Sequence, residues 1–449
     1  MADRMSDTEA LMWNLEKDPA LRAAFLNVTF LDRPPDLDRL RRRMHAAVPQ
    51  IPRLAQRVVP AAAGWGPPAW RPDPQFNLDH HVRRIAVPPP GDDRQLLDLA
   101  AHIYEDAFDR ARPLWQFTVV EGLSGGRAAL LSKMHHTITD GIGGLRLSMQ
   151  FIDASPDEPE PEESAGASTA ADTAEDVSLV GNVARTATLQ VARAGKAATA
   201  VAGLVARPWQ AVDTARSLAR QAAIVEPARS SLWAGHRSLS RRFEALRLDL
   251  DGLHRAAKGL GGTVNDAFVT VMTGAVGAYH RAKGVEVGDL RMSMPVNTRT
   301  DRGASGNSFA PTRLMVPAGV VDPAARFQAV RERLDRTKHE RAIGLADVLA
   351  GLVINLPTAV QVRLAHQQVG TVDFATSNLR GASFDLFIAG AHIESNHPMG
   401  PTAGTALNGT VLSYKSGLDL GLNLDAAAID DPALLVECVT AAEAELLAL

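Results

Sequence analysis

The sequence predicts a mixed α/β (α+β) chain of two lobes, and three observations carry that expectation. The first is length. At 449 residues the chain exceeds what one hydrophobic core usually serves, so two domains are the natural division. The second is order: helical and strand-like segments interleave irregularly in both halves, without strict alternation. The third is a break in the middle. Residues 155–176 hold eight acids and no Lys or Arg, and cannot bury enough apolar surface to offset their ordering entropy. The expected division is therefore an N-terminal lobe over 1–154, an acidic flexible linker over 155–178, a basic helical bridge over 179–235 and a second lobe over 236–449.

The elements follow in order. Residues 23–32 read as a strand. Asp36 caps a helix to about Val48, with Leu37, Leu40 and Met44 inward and Arg41, Arg42 and Arg43 exposed. Prolines and glycines make 60–74 a loop, and Phe76 to Val87 a strand. Asp92 or Asp93 opens a helix that places Leu96, Leu97, Ala100, Ile103 and Tyr104 on one side. Phe117 to Val120 is a strand, Gly122 to Gly126 a turn, and the apolar run Ala128-Ala129-Leu130-Leu131 a strand ending in two histidines. A helical pattern follows from Leu145 to Phe151.

Over 180–230 seven basic residues face two acids, and Val180, Val183, Ala187, Val191 and Ala194 recur at helical spacing. This reads as a helical bridge packed on the protein; the alternative is a basic amphipathic membrane-surface element. In the second half, strands are expected at 243–250, 290–296, 307–316, 371–379, 384–393, 405–414 and 419–424. Helices are expected after Asp251, from Thr263 to about Lys283, from Pro323 to about Ile343 and from Pro432 to Leu447.

Composition removes several functions. The net charge of −4 gives no pull toward nucleic acid. A single cysteine, Cys438, leaves no disulfide framework or Cys-rich metal site and fits a reducing compartment. The first residues lack an apolar signal core, and no run of about 18 uncharged apolar residues exists, so no spanning helix is expected. No His-Glu-x-x-His pattern, Gly-x-Ser-x-Gly elbow or P-loop is present, which removes the zinc-protease, serine-hydrolase and nucleotide-hydrolase readings.

What stands out is His135-His136-Thr137-Ile138-Thr139-Asp140-Gly141. An imidazole is the side chain best poised to take a proton near neutral pH. Adjacent strand residues point to opposite faces, so one of the two histidines faces a given reaction centre. The spacing to Asp140 favours His136 as the base, with His135 in support. Asp140 sits at a turn into a helix, where a carboxylate braces the loop, and Gly141 frees the backbone behind it. His80-His81 is also a pair, but no Asp-Gly follows it, and it reads as structural.

These residues match the HHxxxDG signature of the CoA-dependent acyltransferase superfamily. That superfamily includes chloramphenicol-acetyltransferase-like folds, plant-type alcohol acyltransferases and nonribosomal peptide condensation domains. Three further features narrow the resemblance. Arg112-Pro113-Leu114-Trp115 resembles the PLW motif of bacterial wax ester synthase/diacylglycerol acyltransferases. Thr263-Val264-Asn265-Asp266-Ala267 resembles that family's Asn-Asp motif. Pro295-Val296-Asn297-Thr298-Arg299, followed by Gly306-Asn307, resembles its Pro-Val-x-x-Arg and Gly-Asn pair. One segment departs: Ser377-Asn378-Leu379-Arg380-Gly381-Ala382 puts Arg380 where the family commonly has a proline.

The resemblance implies two chloramphenicol-acetyltransferase-like lobes with an active-site channel between them. It implies transfer of a fatty acyl group from acyl-CoA, a co-substrate, to diacylglycerol or a long-chain alcohol, with no bound cofactor and no metal. Pro113, Leu114 and Trp115 then shape the lobe or channel, as do Asn265, Asp266, Asn297 and Arg299 from the second lobe. Asn265 and Asn297 are candidates for the oxyanion, and Arg299 for pairing with Asp140. A cytoplasmic enzyme in peripheral contact with the inner membrane face or lipid inclusions is expected. Two alternatives stay open: a carrier-protein-dependent condensation or polyketide-associated acyltransferase, and a non-catalytic paralogue that coats lipid inclusions.

Overall fold

The computed structural model describes residues 4–61, 67–138, 147–159, 230–297, 309–338, 351, 353–354 and 356–449. Asp140, Gly141, Arg299, the acidic linker beyond residue 159 and the basic bridge up to residue 229 lie outside the described residues.

Helix starts follow local capping chemistry. Asp36 accepts from the Arg39 amide (3.0 Å) and opens α2, Leu37–Gln50. The short helix α3, Leu78–His81, follows. Asp92 exchanges hydrogen bonds with Gln95 and opens α4, Asp93–Glu105. In the second half come α5, Leu250–Gly259, capped by Asp249, and α6, Val264–Ala282, capped by Thr263. Further helices among the described residues are α7, Pro323–Lys338, α8, Thr358–Val369, and α9, Pro432–Leu447. Both α8 and the first helix, α1 (Asp7–Leu15), go unassigned in the sequence reading. Yet α1 opens with a capping box of Ser6 and Glu9.

The strands are β1 Ala24–Leu31, β2 Gln56–Val59, β3 Ala69–Pro72, β4 Val82–Ala86, β5 Trp115–Glu121, β6 Ala128–His135, β7 Ile152–Asp153, β8 Arg241–Asp249, β9 Leu290–Asn297, β10 Phe309–Val316, β11 Phe374–Arg380, β12 Phe387–Ile388, β13 Ala391–Met399, β14 Leu407–Tyr414 and β15 Gly417–Asp425. Among the described residues one sheet runs β4-β5-β6-β1-β13-β12-β7 and a second β10-β9-β11-β14-β15-β8; β2 and β3 form a hairpin.

Four local expectations need correction. The loop at 60–74 contains β3, whose Trp70 is 1% exposed. Phe76 to Val87 is interrupted by α3, which Asn77 caps. Phe384 to Ile393 is not one strand: Ala389 (φ 46°) and Gly390 (φ 86°) turn the chain between β12 and β13. Arg43 is not exposed; it is buried against Asp153 of β7 at 2.8 Å.

The sheets do not divide where the chain does. β13, from the second half, pairs antiparallel with β1, Leu26 facing Met399. Strand β6 lies on the other side of β1, with Lys133 facing Leu26 and His135 facing Ala24. β15 of the second sheet approaches closely here: a Cβ on Gly421 would lie 2.3 Å from the Pro398 carbonyl oxygen. The double histidine therefore ends a strand one neighbour away from the junction of the two sheets.

Both faces of β6 are buried, which is why it reads as a continuous apolar run. Ala128, Leu130 and Met134 pack with Trp115 and Phe117, while Ala129 and Leu131 pack with Leu26, Leu96 and Phe243 of β8. The second lobe is built around α6, apolar on nearly every side and buried among Leu418, Leu420 and Leu422 of β15. No helix among the described residues is long and apolar enough to cross a membrane.

One carboxylate bridges the sheets at a cost. Asp419 of β15 is 0% exposed, and its Oδ2 accepts from the Asn396 amide of β13 at 2.8 Å. Burial pushes its pKa up to about 6, against the pull of that amide and of Arg247. The folded state therefore holds a proton more tightly than the unfolded one, and stability falls as pH rises from 3.8 through about 6. At neutral pH the penalty is about 3 kcal/mol. Asp419→Asn should melt higher than the parent at pH 7.5, the gap closing near the unfolded pKa. Equal midpoints at pH 7.5 would contradict this.

Candidate active site

Three backbone bonds fix the double-histidine turn. The His135 amide donates to the Leu114 carbonyl (3.0 Å), the His136 amide to the Ala23 carbonyl (3.1 Å), and the Ile138 amide to the His135 carbonyl (2.9 Å). Strand β6 thus ends in a tight turn held by the PLW segment on one side and the start of β1 on the other.

The two imidazoles differ in burial and surroundings. His135 is 0% exposed. Its Nδ1 accepts from the Thr137 amide (3.1 Å) and lies 2.7 Å from Thr137 Oγ1. A backbone N–H can only donate, so Nδ1 carries the lone pair and Nε2 the proton. That proton points to Glu16 Oε2 at 3.1 Å. Both nitrogens are engaged, and the ring is closed off. His136 is half-buried, its ring 4.8 Å from that of Phe25.

Glu16, the C-cap of α1, organises this arrangement. Its Oε2 also accepts from the Ala23 amide (2.9 Å), and Ala23 in turn receives the His136 amide. Burial alone would raise the Glu16 carboxyl; the hydrogen bond from His135, the Ala23 amide and Arg22 together hold it below its usual value. Lys133, two residues before His135, is a further buried support. Its Nζ donates to the carbonyls of Ile103 (2.6 Å) and Asp106 (2.5 Å) at the end of α4 and lies over Phe108. Phe108 in turn meets the His135 ring edge-on. Burial brings the Lys133 ammonium down to about 8.

The PLW residues are packed core. Leu114 and Trp115 are each 1% exposed, and Trp115 Nε1 donates to the Leu54 carbonyl at 2.9 Å. His81 stacks on Trp115 (4.5 Å) and hydrogen-bonds its carbonyl through Nδ1 (2.8 Å), the structural role expected of it. Burial takes His81 down to about 4, so it stays neutral there.

In the second lobe, Asp266 is 2% exposed, and its Oδ2 accepts from both the amide and the hydroxyl of Thr263. That is a helix-capping position. Asn265 Oδ1 meets Asn378 Nδ2 at 3.3 Å. Asn297 ends β9, its side chain outside the described residues. Cys438 is 8% exposed within α9, and burial raises its thiol. No cluster of metal-ligating side chains occurs among the described residues.

Sequence reasoning missed Glu16 and Lys133. Lys133 carries a signal, since a lone charge in an otherwise apolar strand must find partners inside. Glu16 carries none, being 119 residues from His135 along the chain.

Among known proteins, residues 5–268 match the family model for the wax ester synthase/diacylglycerol acyltransferase catalytic domain, and residues 305–446 that for the WS/DGAT C-terminal domain. A Mycobacterium tuberculosis protein named as a diacylglycerol O-acyltransferase is 33% identical over 462 residues, spanning 100% of this chain and 92% of its own. A second one from that organism is 30% identical over 417 residues, spanning 88% of this chain and 85% of its own. The solved wax ester synthase/diacylglycerol acyltransferase from Marinobacter aquaeolei VT8 superposes with a TM-score of 0.65 at 21% identity, covering 99% of this chain and 98% of that one. The first condensation domain of the calcium-dependent antibiotic synthetase shares the fold, with a TM-score of 0.61 at 16% identity and coverage of 100% and 97%.

Proposed function

This chain belongs to the wax ester synthase/diacylglycerol acyltransferase family, and from that premise we propose that it moves a long-chain acyl group from acyl-CoA to the hydroxyl of diacylglycerol or a long-chain alcohol, with His136 as general base. The observation that carries the base assignment is the engagement of His135. With Nε2–H on Glu16 and Nδ1 taken by Thr137, His135 has no nitrogen left for a substrate proton.

His136 takes the proton of the acceptor hydroxyl. The oxygen attacks the thioester carbonyl carbon, and a tetrahedral oxyanion forms. Its collapse breaks the C–S bond, and the CoA thiolate leaves with the proton that His136 holds. The products are an ester and free CoA, and the imidazole is neutral again. The thioester is already activated, so no acyl-enzyme is required, and the buried Cys438 thiol does not serve as nucleophile.

Both acceptors leave water for lipid, so the enzyme meets them at a membrane or droplet surface. Labelled acyl-CoA offered with diolein and with hexadecanol tests donor and acceptor together. Labelled triacylglycerol or wax ester is expected, with one free CoA thiol per ester. Transfer only from a carrier-protein thioester would overturn the donor, and ester formation with neither acceptor would overturn the activity.

A further inference from the structure

A second acid of α1 reaches the histidine turn through an arginine. Arg53 lies in the short turn Pro52–Ala55 that follows α2. Its Nη1 donates to the Thr137 carbonyl (2.7 Å) and to Glu9 Oε1 (2.5 Å). The guanidinium stands 4.9 Å from the Trp70 ring centroid. Glu9 Oε2 accepts from the Ser6 amide, so the α1 capping box and this contact form one unit.

We propose that Arg53 is a positioning residue for acyl transfer, pinning the peptide after His136 so that the imidazole keeps its aim; this rests on the reading of His136 as the base. Thr137 follows His136 directly, and it is held at both ends. Its amide and hydroxyl contact His135, and its carbonyl receives Arg53. The turn cannot rotate at residue 137 without losing one of these bonds. Arg53 and Glu9 have only 19% and 3% of their side chains exposed. Desolvating such a pair is costly, and an apolar side chain would fill the space as well. What the apolar side chain would lack is a donor for the Thr137 carbonyl. Lysine would supply one charge without the planar fork. Helix α1 thus grips the turn twice, by Glu16 on His135 and by Glu9 through Arg53 on Thr137.

The test compares Arg53→Met and Arg53→Lys with the parent, alone and in a His136→Ala background. Arg53→Met should lower kcat about 10- to 100-fold with KM for acyl-CoA within about twofold. Arg53→Lys should recover part of the loss. Added to His136→Ala, Arg53→Met should cost nothing more, because it acts through that imidazole. Parent-like kcat in folded Arg53→Met, or an additive loss in the double variant, overturns the role of Arg53. Parent-like kcat in His136→Ala alone instead overturns the base assignment, and this proposal falls with it. Should Arg53→Met fail to fold, Glu9→Gln takes its place. It keeps the shape and removes the charge partner, and unchanged kcat in both Glu9→Gln and Arg53→Lys overturns the proposal.

Discussion

His136→Ala should lose about 10³-fold or more in kcat while melting close to the parent. A loss of that size corresponds to about 4 kcal/mol of transition-state stabilisation. It falls on activity alone because the turn is anchored by backbone groups. The His136 amide still reaches the Ala23 carbonyl, and His135 still reaches Glu16 and Leu114. The deleted ring is half-buried and packs on Phe25, so its removal opens little core. Product formation from labelled acyl-CoA, read beside a thermal melt, separates the two quantities. A variant that turns over like the parent would remove His136 from the mechanism.

Glu16→Ala should damage both stability and catalysis. Two donors, His135 Nε2–H and the Ala23 amide, converge on one carboxylate oxygen, and the Glu16 side chain is only 8% exposed. Orphaning each of the two costs about 1–3 kcal/mol, so a loss of roughly 2–6 kcal/mol is expected. Catalysis suffers because Ala23 carries the carbonyl that holds His136; a displacement near 1 Å costs about 100-fold. Glu16→Gln keeps one acceptor oxygen and should fall between parent and alanine variant. The pH dependence gives a second reading. The Glu16 carboxyl is held below its ordinary 4.5, so its contribution is complete above that value and is lost as pH falls through the folded one. In Glu16→Gln that part of the acid limb should vanish. A Glu16→Ala protein with parent-like melting and kcat would show that the carboxylate braces nothing.

Elements whose cause is local were legible, and elements whose cause is distant were not. Asp36, Asp92 and Thr263 mark their helices because a capping side chain acts within three residues. α1 is legible by the same rule, since Ser6 and Glu9 stand at capping-box spacing. β13 was not: nothing near residues 391–399 says that they pair with β1 of the other half. The same limit applies at the site. Two adjacent imidazoles on a strand must diverge, and the spacing to Asp140 singles out His136 of the two. Its bracing came from Glu16, Arg53 and Lys133, brought together by a fold in which α1, the 52–55 turn and the end of α4 surround one strand end. Asp266 is a local case too: three residues after Thr263, it completes the capping box that opens α6.

The division of labour between the two adjacent histidines is measured directly by acyl transfer in His135→Ala and His136→Ala side by side, each confirmed folded. The account predicts that His136→Ala is the more impaired in kcat, melting like the parent. His135→Ala should lose much of its stability, since it strands Glu16 and Thr137, but keep measurable turnover. Transfer surviving in folded His136→Ala and abolished in folded His135→Ala would contradict it.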